Sequence, residues 1–394
     1  MQMKANLARL CEKYSEIIIF ISLGVFALVF FLTSPTSGDF SYSDAPRHAL
    51  NGVFIKDLLV DMPFSDPKQY AINYYLKYPA LTILFYPPLM PFITACFYII
   101  FGVSHTVAQL SVAVFHFLLA LGYYFLARRY LPNWQAFSAS ILLISAPEIC
   151  FWARQVMLDI PACTWLVFSI LYLMRYCDDI QKKSSLFLCA FFFLCALYTK
   201  QTTIFVMPIF VLFLLKTYGF HILRKQHVWW VFGLFIILLI PLVFMTIEFG
   251  QVNIDSVSGA RASDISRDNL LAWIYYFKQI PHQFGWPTTI FSFIFIVVSI
   301  VNHHWRLPKN VQVLFLAWLA LGYLFFSAIS LRSPRFDLPA LLPLAIFAIL
   351  TLNRILTKFN QSYATLAALF LALSNVGYTL LFAHIGKWMK SQGG

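Results

Sequence analysis

The sequence predicts an all-α integral membrane protein, a single domain over residues 1–394 built as a bundle of about eleven transmembrane helices. Three observations lead there. First, 60% of the residues are hydrophobic and only 11% are charged. A soluble domain carries roughly 25% charged residues, so this chain has too few charges to coat a water-exposed surface. Second, apolar runs of the length needed to cross the hydrocarbon core, about 20 residues, recur from Glu16 to the C-terminal end. Third, basic pairs stand at alternate junctions between these runs, as the positive-inside rule expects of cytoplasmic turns.

Crossings are expected at 16–33, 106–127, 134–150, 162–177, 184–199, 202–217, 228–247, 288–302, 311–330, 337–352 and 363–385. The first follows Lys4, Arg9 and Lys13, and no small-residue cleavage site closes its apolar run, so an uncleaved helix is expected. A further apolar stretch, about 84–103, holds Pro87, Pro88 and Pro91. If it does not cross, Arg128/Arg129, Lys182/Lys183, Arg224/Lys225, Arg306/Lys309 and Arg354/Lys358 all lie inside with the N-terminal cations. If it crosses, all five pairs move outside, against the rule. The stretch therefore reads as re-entrant or interfacial. Two long extracytoplasmic loops follow, 34–105 and 248–287, with short outer turns at 151–161, around Lys200 and at 331–336.

The net charge is +12. Inner-loop lysine and arginine account for much of it, and cations facing an anionic lipid phosphate are a second source. No basic stretch is dense enough for nucleic acid. The seven cysteines mostly sit inside apolar runs without a CxxC pair, and read as small core hydrophobes. The sequence lacks the phosphate-binding GxxxxGK[ST], the dinucleotide GxGxxG, the zinc-binding HExxH and the nucleophile GxSxG. ATP-driven and redox chemistry are therefore unsupported.

Ionisable side chains at a membrane are costly, which makes them candidates for function. On the expected outer side they gather in five places. In SYSDAPRHALNG (41–52), Asp44, Arg47 and His48 share one helix face by their offsets of three and four. They suit a base beside an anion site, although Asp44 before Pro46 also suits a helix N-cap. In WARQVMLDIP (152–161), Arg154 and Asp159 flank a turn, as a second acid-and-cation group or as an interfacial ion pair. Lys200, in LYTKQTT, ends a helix and could equally snorkel to the interface. Arg332, Arg335 and Asp337 open LRSPRFDLPALLP (331–343), where arginine suits a phosphate by paired hydrogen bonds. In NYYLKYPALTILFYPPLMP (73–91), Tyr86 and Lys77 could touch a ligand, while Tyr74, Tyr75 and Tyr78 suit an aromatic belt.

The order of these motifs carries a resemblance. An acidic motif follows helix one, then come a YPPL stretch ending in FG, an LARR turn, an R-x-x-x-x-D turn, TK-x-T-T and PRF-x-LP-x-x-LP. Over about 16–350 the chain resembles the GT-C membrane glycosyltransferases, nearest the branch of protein O-mannosyltransferases, the aminoarabinose transferase of lipid A and the family-39-like enzymes. The resemblance implies juxtamembrane helices in the first outer loop and an inverting transfer from a polyprenyl-phosphate sugar. It implies Asp44 as base, Asp159 as the acid of the second outer loop, and Lys200 and Arg335 as cations facing the lipid phosphate. The chain departs from the pattern at Ala45, where a second acid often stands, and at Tyr86, where some relatives have lysine.

The expected substrate-binding set is Arg47, His48, Tyr86, Arg154, Lys200, Arg332 and Arg335, with Asp44 and Asp159 catalytic. No metal or other cofactor is expected, because two carboxylates are thin ligation for a divalent ion. The expected partners are the polyprenyl-phosphate donor, the bilayer and a glycan, lipid or protein acceptor. The sole N-x-S/T sequon, at Asn360, falls on the inner side, which favours a bacterial inner membrane with the site facing outward. The competing reading is a transporter or lipid flippase, whose marks would be inverted repeats and paired broken helices.

Overall fold

The computed structural model describes residues 2–35, 40, 42, 44–251, 255 and 269–383. Every regular element among them is helical. In chain order these are α1 (Gln2–Leu32), α2 (Ala45–Asp61), α3 (Pro67–Lys77), α4 (Leu89–Phe101), α5 (His105–Ala127), α6 (Asn133–Ile144), α7 (Pro147–Ala153), α8 (Asp159–Asp178) and α9 (Lys183–Thr199). They continue with α10 (Met207–Tyr218), α11 (Gln226–Phe249), α12 (Leu270–Phe284), α13 (Trp286–Val301), α14 (Lys309–Ala328), α15 (Leu338–Leu341), α16 (Pro343–Leu356) and α17 (Gln361–Tyr378).

Among the described residues, eight helical stretches are long and apolar enough to cross a membrane, making this a multi-pass membrane protein. Three shorter apolar helices, α4, α9 and α13, join them. At 13 residues, α4 is roughly 20 Å long, well under the hydrocarbon thickness of about 30 Å. It packs on α2 and α5. The contact with α2 is tight at Gly52, where a Cβ would stand 2.8 Å from Thr94 Cγ2. Helices α2 and α3 occupy the first expected outer loop. The second expected loop, 248–287, contains α12; residues 252–254 and 256–268 lie outside the described set. Residues 384–385, at the end of the last expected crossing, also lie outside it.

The expected crossing at 134–150 is not one helix. It is broken into α6 and α7, bent by 67°. Pro147 is the cause: it has no N–H to continue the ladder, and it forces Ala146 into an extended backbone at ψ 133°. The stretch expected at 202–217 also begins differently, as a tight helical turn over Gln201–Val206 that becomes α-helical where Pro208 takes its first turn. A third break separates α15 from α16 at Pro343. There the Tyr123 hydroxyl enters the backbone ladder, donating to the Leu342 carbonyl and accepting from the Ile346 N–H. A side chain inserted in this way is a recognised cause of helix bending.

The core lies where α5, α6, α8 and α16 meet, and residues such as Leu119, Ile141, Leu166 and Phe347 are wholly buried. The two ends of the bundle differ in chemistry. At one end Arg128 pairs with Glu16 at 3.0 Å and Arg129 with Asp178 at 2.7 Å. At the other end stand Asp44, Asp159, Lys200 and Arg335, brought there by α2, α8, α9 and the turn before α15.

Candidate active site

A cavity of about 330 Å³ opens at this second end. Asp44, Arg47, His48 and Tyr86 come from the first loop, Asp159 from α8, Lys200 from the end of α9, and Arg335 from the turn before α15. Met157, Leu158, Phe326, Ile329 and Leu331 supply apolar wall.

Each charged group is placed by its local backbone. Asp44 stands at the N-cap of α2, yet its side chain makes no capping bond. Its carboxylate turns instead to Arg335, with Nη2 to Oδ2 at 3.1 Å, and to Arg47 at 3.9 Å. Asp159 begins α8, where a carboxylate is favoured by the positive end of the helix dipole. Its side chain is 2% exposed, and Lys200 Nζ donates to it at 2.5 Å. Lys200 follows the last residue of α9 in extended backbone, so its side chain leaves the helix direction and crosses towards α8. Its carbonyl accepts from the Thr203 hydroxyl at 2.9 Å, which fixes this corner.

Arg335 sits in an aromatic cage. Its guanidinium carbon lies 4.9 Å from the Tyr42 ring, 5.2 Å from Trp152 and 5.1 Å from Phe336. Guanidinium is weakly hydrated and stacks well on such faces. Trp152 is in turn held by its indole N–H, which donates to Glu148 Oε1 at 2.8 Å. Lys200 also lies over Phe336, at 5.2 Å. The cavity thus sets three cations against two carboxylates, with half-exposed Arg47 the most accessible of the cations. The surplus positive charge, partly shut off from water, favours an anionic ligand.

His48 packs against Tyr86 in a tilted ring contact, with centroids 4.5 Å apart. Burial lowers its pKa to about 4, against the raising influence of Asp44 and Asp159, while Arg335 and Lys200 add to the lowering. His48 is therefore neutral at physiological pH. Its pKa is depressed in the folded protein, so its contribution to stability is whole above pH 6.5 and is lost as pH falls towards 4. The detergent-solubilised protein is expected to melt at progressively lower temperature across that window. His48→Gln is expected to flatten this part of the profile; an unchanged profile would show that His48 does not titrate there. Burial likewise pushes the Tyr86 hydroxyl up to about 12, with Asp44 adding to the effect.

Seven of the sequence-predicted residues line the cavity: Asp44, Arg47, His48, Tyr86, Asp159, Lys200 and Arg335. Two do not. Arg154 does not pair with Asp159; it is buried at the end of α7, where Nε donates to Ser34 Oγ at 3.3 Å. Arg332 lies outside the cavity lining, three residues from Arg335. Lys77 also lies elsewhere, over the Tyr78 ring. Of the motif at 41–52, residues 41 and 43 fall outside the described set. Sequence reasoning missed Tyr42, Trp152, Met157 and Phe336 around Arg335. Phe336 and Trp152 carried a usable signal, because they sit inside the PRF and WARQVMLDIP motifs.

The helical bundle, with α2 to α4 between the first long apolar helix and α5, shares its overall fold with solved membrane glycosyltransferases. The chain is similar to ArnT from Cupriavidus metallidurans bound to undecaprenyl phosphate, with a TM-score of 0.66 and 16% identity over 96% of this chain and 72% of that one. The apo state of the same protein gives a TM-score of 0.65 at 16% identity, covering 89% of this chain and 62% of that one. The archaeal oligosaccharyltransferase AglB from Archaeoglobus fulgidus, in complex with an inhibitory peptide and a dolichol-phosphate, gives 0.62 at 12% identity. That match covers 94% of this chain but 56% of AglB, so the chain spans little more than half of the larger protein. At such identities the likeness is one of fold. Residues 86–245, which include Tyr86, Asp159 and Lys200, match the sequence model of the family described as dolichyl-phosphate-mannose-protein mannosyltransferase. No curated protein matches the sequence.

Proposed function

We propose that the chain is an inverting glycosyltransferase that moves a hexosyl or pentosyl group from a polyprenyl-phosphate donor to an acceptor hydroxyl or amine. The observation that carries this reading is the cavity itself, where carboxylates from two distant segments meet a surplus of cations beside an apolar wall. The acceptor proton passes to the Asp44 carboxylate as the acceptor atom bonds to the sugar's anomeric carbon. The bond from that carbon to the phosphate oxygen breaks, and the phosphate leaves with the electron pair. A single displacement inverts the sugar carbon and needs no covalent enzyme intermediate. Arg335 and Arg47 offset the charge that builds on the phosphate, and fixed cations in a poorly hydrated cavity do so well. Asp159 holds Lys200 in place, and an ammonium with three donors can serve both that carboxylate and the phosphate.

The bound undecaprenyl phosphate of ArnT and dolichol-phosphate of AglB support a polyprenyl-phosphate donor. The charge pattern of the loops, with 84–103 re-entrant, supports a site on the extracytoplasmic face of an inner membrane. The test is transfer from a panel of radiolabelled undecaprenyl-phosphate sugars to protein, lipid and glycan acceptors in membranes holding the protein. One donor is expected to yield product above control membranes. Absence of transfer from all donors, together with no binding of undecaprenyl phosphate by the purified protein, would remove the proposal.

A further inference from the structure

Gln283 lies wholly buried near the end of α12, outside the cavity and outside every motif singled out above. Its Nε2 amide donates to two acceptors, the Pro334 carbonyl and Asp337 Oδ1, both at 2.6 Å. These two acceptors flank Arg335 and Phe336 in sequence. One side-chain amide therefore grips both ends of the short turn that presents Arg335 to the cavity, and both amide hydrogens are used in doing so. The turn has one internal backbone bond, from the Phe336 N–H to the Ser333 carbonyl at 3.0 Å. The far post is firm, because Asp337 is 1% exposed and its carbonyl accepts from the Ala340 N–H at 2.8 Å.

The end of α12 is fixed as well. Tyr276 is fully buried one side of it. On the other, Gly285 turns the chain into α13 at φ +82°, a backbone that suits glycine, and a Cβ there would meet Asn375 Oδ1 at 3.1 Å. The amide thus couples two rigid ends to one turn.

We infer that Gln283 is the positioning residue for Arg335, clamping the Pro334–Asp337 turn so that the guanidinium meets the donor phosphate. The ligand in this statement rests on the function proposed above; the clamp does not. Gln283 touches neither substrate nor reacting atom and acts through Arg335.

The test uses the full chain in detergent or nanodiscs, with Gln283→Leu, which leaves a slightly shorter apolar side chain in the buried place and removes the donor. Hydrogen exchange of the amides of residues 331–337, without ligand, is expected to quicken about tenfold while α5 and α8 stay unchanged. The Kd for undecaprenyl phosphate is expected to weaken about tenfold, and in an Arg335→Ala background Gln283→Leu is expected to add less than about twofold. Asp337→Asn keeps an oxygen for Gln283, so both readouts are expected to stay within about twofold of the unsubstituted protein. Should Gln283→Leu fail to fold, Asp337→Leu removes one post and is expected to give the same exchange signature. Unchanged exchange at 331–337, or an equal loss of affinity with and without Arg335, would overturn the clamp. If Arg335→Ala itself leaves undecaprenyl phosphate binding intact, the ligand assignment fails, and the exchange measurement still decides the clamp.

Discussion

Asp44→Asn is expected to lower transfer about 10²- to 10⁴-fold, the range that a general base contributes, while the protein keeps its fold. Asparagine has the shape of aspartate and can still accept from Arg335, which lies 3.1 Å away. It cannot take the acceptor's proton. Asp44 is also the less buried of the two carboxylates, at 18% against 2% for Asp159, which leaves it reachable by an acceptor entering from water. Removing its negative charge leaves Arg335 and Arg47 more available to phosphate, so undecaprenyl phosphate binding is expected to hold or tighten. The signature is a fall in kcat without a rise in donor KM. A variant with kcat within threefold of the parent protein would end the assignment of Asp44 as base.

The second large effect concerns the buried pair. Lys200→Met is expected to destabilise the protein by about 3–5 kcal/mol, because it leaves the Asp159 carboxylate buried without its counter-charge. The cost arises from breaking the pair rather than from lacking it. Replacing both members, as Lys200→Met with Asp159→Leu, is therefore expected to recover most of the melting temperature. Transfer is expected to be lost in the single and the double variant alike, since neither retains the ammonium. Thermal melting in detergent, measured beside transfer, separates the two roles. A double variant as unstable as the single one would show that the pair is not what Lys200 contributes to the fold. A stable double variant that still transfers sugar would take Lys200 out of the site.

The membrane bundle was legible because hydrophobic length and the scarcity of charge are properties of the chain itself. The break at Pro147 was not seen, because the apolar run continues through it and hydropathy does not register a missing N–H. The charged residues that line the cavity were legible for a related reason. In a chain with so few charges, Asp44, Asp159, Lys200 and Arg335 stand out against an apolar background. The same signal also raised Arg154 and Arg332, which do not line the cavity, since charge alone carries no direction. Gln283 lay outside every motif, and Trp152 opened WARQVMLDIP without standing out within it. A glutamine or a tryptophan looks ordinary where aromatic residues make up 18% of the chain, and each owes its role to neighbours that arrive only with the fold.

The imbalance of cations over carboxylates also bears on how a catalytic cycle would end. Under the proposed reaction the donor would reach the cavity as a phosphodiester with a single negative charge, and the spent carrier would leave as a monoester bearing about −1.5 to −2. A surface that welcomes the developing anion holds the finished one still more firmly. Escape of the spent carrier into the bilayer would then be slowed by the same cations that serve the chemistry.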